Sequence, residues 1–446
     1  MKQFFLACRR FLHFSHFSAK CRRYSEICHG HKNRERIFFF VSRTRFLRRV
    51  ASLLLTAAVL IVPYRAVADG MGEWIPAGGT PMEFPGHSAA ACVVMEVRSG
   101  QVLYEANADT PMMIASTTKI MTAILAIELC DLTRVITIPK QAVGIEGSSA
   151  YLYEGEQLTM EDLLYALMLQ SANDAAVAIA LAVDGDVALF ADRMNEKAET
   201  LGMTSSHFVN PNGLPADGHQ ASARDMAKLT AYALQNETFR TIVSTVKYSV
   251  KEGEKTASHL FVNHNRLLRT YDGAIGVKTG YTKQGGRCLV SAAQRDGVTL
   301  VCVTLSDPND WRDHASLLDW GFSLCQYNVA LQAQSFRSVI HVVGATDGVQ
   351  ELTLTNESTI DYISTDGRTG DVTDRICMPD FIYAPAKAGD RVGSITYYRD
   401  GEEIGTSDLV LTQSVEAEVK KRGFAAFWEN LMDWLLPSRK DSDHHG

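Results

Sequence analysis

Three short segments carry side chains whose types and spacing suit covalent chemistry. Ser116-Thr117-Thr118-Lys119 sets an amine one helical turn after a hydroxyl, so on a helix the two share a face. Ser171-Ala172-Asn173 is the one S-x-N tripeptide in the chain. Lys278-Thr279-Gly280 is the one K-T-G, against about 0.1 expected by chance at average residue usage. A serine hydroxyl is a weak nucleophile and needs an adjacent base. Lys119 can be that base only when neutral, so its pKa must fall well below the usual value of about 10.4. A second ammonium about 4 Å away would oppose its charge by roughly 4 kcal/mol at an effective dielectric of about 20. Lys278 is the candidate for that ammonium, and burial acts in the same direction. Charge remaining on Lys278 suits a substrate carboxylate, with Thr279 as a hydrogen-bond partner. Gly280 lets another backbone come close, and the backbone N–H groups of Ser116 and Tyr281 would form an oxyanion hole. The expected chemistry is acyl transfer through Ser116.

A second S-x-x-K exists, Ser244-Thr245-Val246-Lys247. It lies in the alternating run 243–250, which reads as a strand and would send Ser244 and Lys247 to opposite faces. Only the copy at Ser116 has geometry for catalysis. No C-x-x-C, H-E-x-x-H or G-x-x-x-x-G-K-[ST] pattern occurs, so zinc-site, metalloprotease and P-loop readings have no foothold. Neither a metal nor a cofactor is expected.

The elements that must hold these groups are partly legible. Lys119–Leu129 is apolar nearly all round and reads as a helix buried in the middle of a domain. Thr159 with Asp162 predicts a capping box at the start of a helix over 160–170. Ser171 and Asn173 fall between the helical runs 163–169 and 175–183. Residues 89–106 read as a hairpin turning at Ser99-Gly100, and 273–306 as three further strands, the last two joined at Asp296-Gly297. Hairpin, helical block and then more antiparallel strands make an α+β order, with helices packed on the sheet. After Cys325 the character changes. Residues 338–412 hold short alternating runs broken by Asp-Gly pairs at 347–348, 366–367 and 400–401, the spacing of a small all-β module.

The two ends differ from the middle. Arg43, Arg45, Arg48 and Arg49 precede the apolar run Val50–Val62 and the tripeptide Ala66-Val67-Ala68, the layout of a secretory signal peptide. Export is therefore expected, and residues 1–40, which follow no structural period, are read as an annotation artefact. Residues 1–68 hold 14 basic and 2 acidic side chains, which leaves 30 basic and 49 acidic in the remaining 378 residues. The formal net charge of -7 thus averages a basic leader with a strongly acidic body, and neither the total nor the body has the basic footprint of a nucleic-acid binder. Six cysteines stay in the body. Cys92 and Cys302, inside apolar runs, read as small buried hydrophobes. Phe424, Phe427, Trp428, Leu431, Trp434 and Leu435 fall on one face of a helix over Phe424–Leu436. With Lys420, Lys421 and Arg422 before it, the segment reads as an interfacial membrane anchor. The expected division is 1–68 leader, 69–327 catalytic domain, 328–414 β domain and 415–446 anchor and tail.

The set S-x-x-K, S-x-N and K-T-G in this order resembles that of the penicillin-binding proteins. Together with Phe208–Leu214, His219–Asp225, Asn263–Leu268 and Gly286–Val290, it makes the chain similar to the low-molecular-weight serine D-alanyl-D-alanine carboxypeptidases over almost its whole body. That resemblance implies a β-lactamase/transpeptidase-like catalytic domain followed by an all-β domain. It implies release of the terminal D-alanine from peptidoglycan stem peptides ending in D-Ala-D-Ala, and acylation by β-lactams. Carried over, Ser116 forms the acyl-enzyme, Lys119 takes its proton, Ser171 and Asn173 relay protons and position substrate, and Lys278 with Thr279 binds the carboxylate. The segments 208–225 and 263–268 are expected to act mainly as scaffold. S-A-N in place of S-D-N, and the lack of an E-x-x-L-N segment, argue against a class A β-lactamase. A D,D-endopeptidase and a non-catalytic β-lactam or wall-binding protein are the alternatives.

Overall fold

The computed structural model describes residues 82–418 apart from 252 and 367; the leader and the Phe424–Leu436 segment lie outside the described residues. The chain opens with a hairpin, Ala91–Glu96 (β1) and Val102–Ala106 (β2). A 3-10 turn at Ala115–Thr118 runs into the helix Lys119–Leu129 (α1). Val135–Thr137 (β3) pairs with Gln157–Thr159 (β4). Five helices follow: Met160–Leu169 (α2), Asn173–Asp184 (α3), Val187–Thr200 (α4), Ala223–Ala233 (α5) and Glu237–Ser244 (α6). Lys247–Val250 (β5) pairs with His259–Val262 (β6). The single turn Leu267–Thr270 (α7) precedes three long strands, Ala274–Thr282 (β7), Gly286–Arg295 (β8) and Val298–Leu305 (β9), and Asp310–Leu324 (α8) closes the region.

The hairpin β1–β2 and the three-stranded meander β7–β8–β9 combine into one antiparallel sheet of order β2-β1-β9-β8-β7. Period-2 alternation is weak in β1 and β9 because both sheet faces are covered. Ala91, Val93, Val301 and Val303 face the helical block, with Ile120 and Ile124 of α1. Cys92, Val94, Leu300 and Cys302 face Leu317 and Leu318 of α8. Cys92 and Cys302 are buried and unpaired, the small-hydrophobe role expected of them.

Three local features position the chemistry. The capping box at Thr159 and Asp162 starts α2 as its spacing predicts. Between α2 and α3, Ser171 adopts a left-handed φ of 59°, which breaks the helical run and restarts it at Asn173. β7 is the edge strand, so half of its backbone groups point away from β8, toward the 3-10 turn that carries Ser116. The second S-x-x-K does not form the expected continuous strand. Ser244 ends α6 and Lys247 opens β5, because Asn236 caps a helix whose Phe239, Ile242 and Val243 are buried. Lys247 is exposed, and the pair forms no site.

The second region begins at Gln326–Leu331 (β10) and continues through Arg337–Val343 (β11), Glu351–Asn356 (β12), Ile360–Ser364 (β13), Val372–Cys377 (β14), Phe381–Tyr383 (β15), Arg391–Arg399 (β16) and Glu402–Leu411 (β17). Six of these strands form a sheet of order β14-β16-β17-β12-β11-β15, and β10 pairs with β13. Ile340, Val342, Leu352, Leu354, Ile395, Leu409 and Leu411 supply its own core. Arg98, in the turn of the first hairpin, reaches Asp361 of β13 at 2.5 Å and ties the two regions together.

Gly276 lets β7 pass against the end of α6. Its φ is +117°, and a Cβ there would lie 2.3 Å from the Val243 carbonyl oxygen. Gly276→Ala should cost about 1–3 kcal/mol of stability and displace Lys278 two residues on. Urea denaturation checks it; an unchanged midpoint would contradict this role for the glycine.

Candidate active site

Lys119 is the first residue of α1 and is fully buried, although its side chain ends in an amine. Its Nζ lies 3.0 Å from Ser116 Oγ, 2.7 Å from Asn173 Oδ1 and 2.5 Å from the Asn212 carbonyl oxygen. Two of these partners are pure acceptors. A neutral amine has two N–H donors and one lone pair. If the donors serve Asn173 and Asn212, the lone pair is left for the Ser116 hydroxyl to donate into. Burial holds the Lys119 pKa well below the usual lysine value, the positive charge of Lys278 lowers it further, and Asp174 works the other way. Of the two causes expected from the sequence, burial outranks the second ammonium.

Each acceptor is held in turn. The Asn173 amide donates from Nδ2 to the Glu146 carbonyl at 2.6 Å, which turns Oδ1 toward Lys119. Gly147 leaves room for that amide, since a Cβ at this residue would lie 2.8 Å from Nδ2. Next to it, the buried Asp174 carboxylate accepts from Ser149 Oγ and from the Ala150 and Leu152 N–H groups, fixing the loop over 146–152. On the other side, Asn210 Oδ1 accepts from the Gly213 N–H at 2.8 Å, and Thr122 Oγ1 donates to the Pro211 carbonyl at 2.6 Å. Gly213 has φ +83° and packs so closely that a Cβ would sit 1.9 Å from the Ala115 carbonyl oxygen.

Ala115, one residue before the nucleophile, has a left-handed φ of 49°. Such a residue costs of order 1–3 kcal/mol unless its surroundings enforce it. Here the Val209 N–H donates to His219 Nδ1 at 3.0 Å, so the neutral ring carries its proton on Nε2. That Nε2–H donates to Thr118 Oγ1 at 2.8 Å, and Thr118 donates to the Ala115 carbonyl at 2.9 Å. Burial lowers the His219 pKa to about 4, with His207 and Lys119 contributing, so the ring is neutral at neutral pH.

β7 completes the site. A Cβ on Gly280 would lie 3.1 Å from the backbone nitrogen of Ser116, so the strand runs in contact with the nucleophile's turn. Lys278 is buried, with its Nζ donating to the Thr279 carbonyl at 3.0 Å. Burial lowers its pKa to about 7. Thr279 is partly exposed and Tyr281 is open to solvent. The fold thus joins Ser116, Lys119 and Asn173 by direct contact and brings Gly280 against them. Ser171 is buried at the α2–α3 junction, and among the described residues its Oγ makes no side-chain hydrogen bond to the others.

Two contributors escaped the sequence. The segments 208–214 and 219–225, read mainly as scaffold, place the Asn212 carbonyl directly on Lys119 and His219 behind Ala115. A main-chain acceptor has no residue-type signature. The only available signal was Asn-Pro-Asn-Gly, a strong turn sequence.

Residues 79–309 match the family of D-alanyl-D-alanine carboxypeptidases, and residues 344–417 match the C-terminal domain of penicillin-binding protein 5. Among curated proteins, the chain is 32% identical over 358 residues to the D-alanyl-D-alanine carboxypeptidase DacF of Bacillus subtilis, covering 78% of this chain and 90% of the relative. Among solved structures, penicillin binding protein 5 of Haemophilus influenzae aligns with a TM-score of 0.55 at 27% identity, over 76% of this chain and 100% of the other. The D-alanyl-D-alanine carboxypeptidase DacD of Francisella tularensis aligns with a TM-score of 0.53 at 26% identity, over 80% of this chain and 100% of the other.

The electrostatic coupling makes a pH prediction. Lys278 is charged on the acid side of its pKa and pushes the Lys119 pKa down. In Lys278→Gln that push is gone, so the Lys119 pKa rises. The acid limb of Ser116 acylation by a small penicillin should move to higher pH. A limb that stays in place, or moves to lower pH, would contradict the coupling.

Proposed function

The chain belongs to the D-alanyl-D-alanine carboxypeptidase family: it is a serine peptidase of peptidoglycan metabolism that acts on D-Ala-D-Ala termini and binds β-lactams, and we propose that its chemistry is the one built around Ser116. The observation that carries this assignment is the Lys119 amine, in contact with two carbonyl oxygens and one serine hydroxyl.

The substrate's terminal carboxylate lies against Lys278 and Thr279, which selects a chain end over an internal peptide bond. A bound carboxylate favours the charged form of Lys278, whose pKa of about 7 in the free protein leaves it poised to take up a proton. Ser116 Oγ attacks the carbonyl of the penultimate D-alanine while its proton passes to Lys119 Nζ. The oxyanion of the tetrahedral intermediate accepts from the Ser116 N–H and from an N–H of β7, at Tyr281. Collapse breaks the peptide bond. The proton travels from Lys119, by way of Ser171, to the departing D-alanine amine. Asn173 holds Lys119 in register and hydrogen-bonds the substrate backbone. Water, deprotonated by neutral Lys119, then attacks the ester, and Ser116 Oγ leaves with the proton. A β-lactam acylates the same oxygen through opening of its ring.

The enzyme acts outside the cytoplasm, on the outer face of the cytoplasmic membrane. The signal-peptide layout of 43–68 supports export, and the amphipathic pattern of Phe424–Leu436 with its basic flanks supports attachment to a lipid surface. Nucleic acid is not a partner, a reading supported by the acidic balance.

Incubation with a stem pentapeptide, followed by assay of free D-alanine, tests the assignment. Ser116→Ala should abolish release and covalent penicillin labelling together. Release that survives in the variant would overturn it. Asn173→Ala, which removes one of the Lys119 acceptors, should lower kcat by about 10²–10³-fold with the fold intact by circular dichroism. A kcat near that of the parent would remove Asn173 from the mechanism.

A further inference from the structure

The β module has an apolar outer edge that its own core does not use. β15 is three residues long and pairs with one strand, β11, in parallel register, with His341 opposite Phe381 and Val343 opposite Tyr383. Alternation sends Ile340 and Val342 inward to the module's core, with Ile382 packed against it. The outer face therefore carries Val343 and Tyr383 side by side, and the Phe381 and Tyr383 rings meet edge to face with centroids 5.4 Å apart. Phe381 is 46% exposed, Tyr383 69%, Val343 46%, and Val349, at the tip of the β11–β12 hairpin, 37%. A sheet face turned to water is normally polar; here Val343, Phe381 and Tyr383 group at one corner beside the exposed His341 and Glu351, and such a grouping of apolar side chains marks a contact surface.

The path of the chain says which contact. Beyond β17 the chain returns to this corner: Ala417 bridges to Ala345, and the Glu418 N–H donates to the Gly344 carbonyl at 2.7 Å. Gly344 is the residue after Val343, so the chain leaves the described structure beside the patch. Only residues 419–423 separate this point from Phe424, a reach of at most about 20 Å. The start of the Phe424–Leu436 segment is therefore tethered within that distance of Gly344, next to Val343 of the patch.

We propose that Val343, Val349, Phe381 and Tyr383 form a second lipid-contact surface, resting on the same phospholipid bilayer as the terminal segment. This inference builds on the membrane-anchor reading of Phe424–Leu436. The one apolar face of that segment is occupied by the bilayer in that reading and leaves the patch open to lipid. Phe and Tyr are suited to the headgroup boundary, where an apolar ring meets a polar rim. In the sequence, Lys420, Lys421 and Arg422 come between the described end of the chain and Phe424, a basic run of the kind that anionic headgroups attract. Two apolar contacts joined by a short basic linker fix the attitude of the module on the membrane, whereas one flexible tether would let it swing.

The test uses the full chain and vesicles of phosphatidylethanolamine with a minor share of phosphatidylglycerol. Partition by co-sedimentation is compared for the parent, F381S/Y383S and F427S/W428S, and amide hydrogen exchange is followed at β15 and the β11–β12 tip. F381S/Y383S should keep its D-alanine release from a soluble pentapeptide and lose partition by about tenfold. Vesicles should protect the β15 amides in the parent. Undiminished partition of F381S/Y383S, with β15 exchange indifferent to vesicles, would overturn the inference. Protection of β15 without vesicles that disappears in F427S/W428S would also overturn it, because the chain's own terminal segment would then cover the patch. Undiminished partition of F427S/W428S would sink the anchor reading alone, since the F381S/Y383S comparison still reads the patch directly.

Discussion

A lysine amine buried with two carbonyl acceptors and one hydroxyl is the constraint on which the rest of the site depends. Burial disfavours its charge, and the Asn173 and Asn212 oxygens direct its two N–H bonds away from Ser116. Burial sets the direction of the pKa shift, and the two acceptors set where the lone pair of a neutral amine points; neither follows from the other. A buried lysine with free rotation would be neutral and aimless. A well-aimed lysine in water would be protonated.

Much of the surrounding fold serves to keep those two oxygens where they are. The left-handed Ser171 ends one helix so that Asn173 can begin the next, and Gly147 gives the amide of Asn173 room. Gly213 lets the 210–214 turn lie on the nucleophile's own turn at a distance no side chain would tolerate. Ala115 is strained one residue from Ser116, and the neutral His219 supports it through Thr118. Ala115 and Gly213 put backbone strain and close approach directly beside the reacting oxygen. The two-sided packing of β1 and β9 and the edge position of β7 supply the rigid frame they need.

What could be read without coordinates divides along the same line. Side-chain chemistry at turn spacing was readable: Ser116 with Lys119, Asn173 between two helical runs, Lys278 on a strand, and the Thr159–Asp162 cap. The first hairpin, the helical block, the three later strands and the β module followed from period and turn residues, and the second S-x-x-K could be set aside, although Ser244 proved to end a helix. Backbone contributions were not readable. The Asn212 carbonyl and the Ala115 kink involve groups that every residue possesses, so composition carries no trace of them. Burial of the Lys119 helix was legible in its all-round apolar pattern, but the ranking was not: burial comes first and the Lys278 charge second. β15, three residues long, is too short to show a period at all.

The chain is acidic overall, at a formal -7, so its global field does not attract a carboxylate-ended substrate. Recognition is local, at Lys278, while catalysis needs the neighbouring lysine uncharged. Two buried lysines with opposite required charges are coupled electrostatically, and the direct test is to titrate them separately. NMR of the folded chain with isotope-labelled lysine, with Lys119 assigned from a Lys119→Arg sample, gives the pKa of each amine. The account predicts that Lys119 titrates far below the ordinary lysine value of about 10.4, and that its pKa rises in Lys278→Gln. A Lys119 amine that titrates at the ordinary value in the intact protein would contradict the account at its centre.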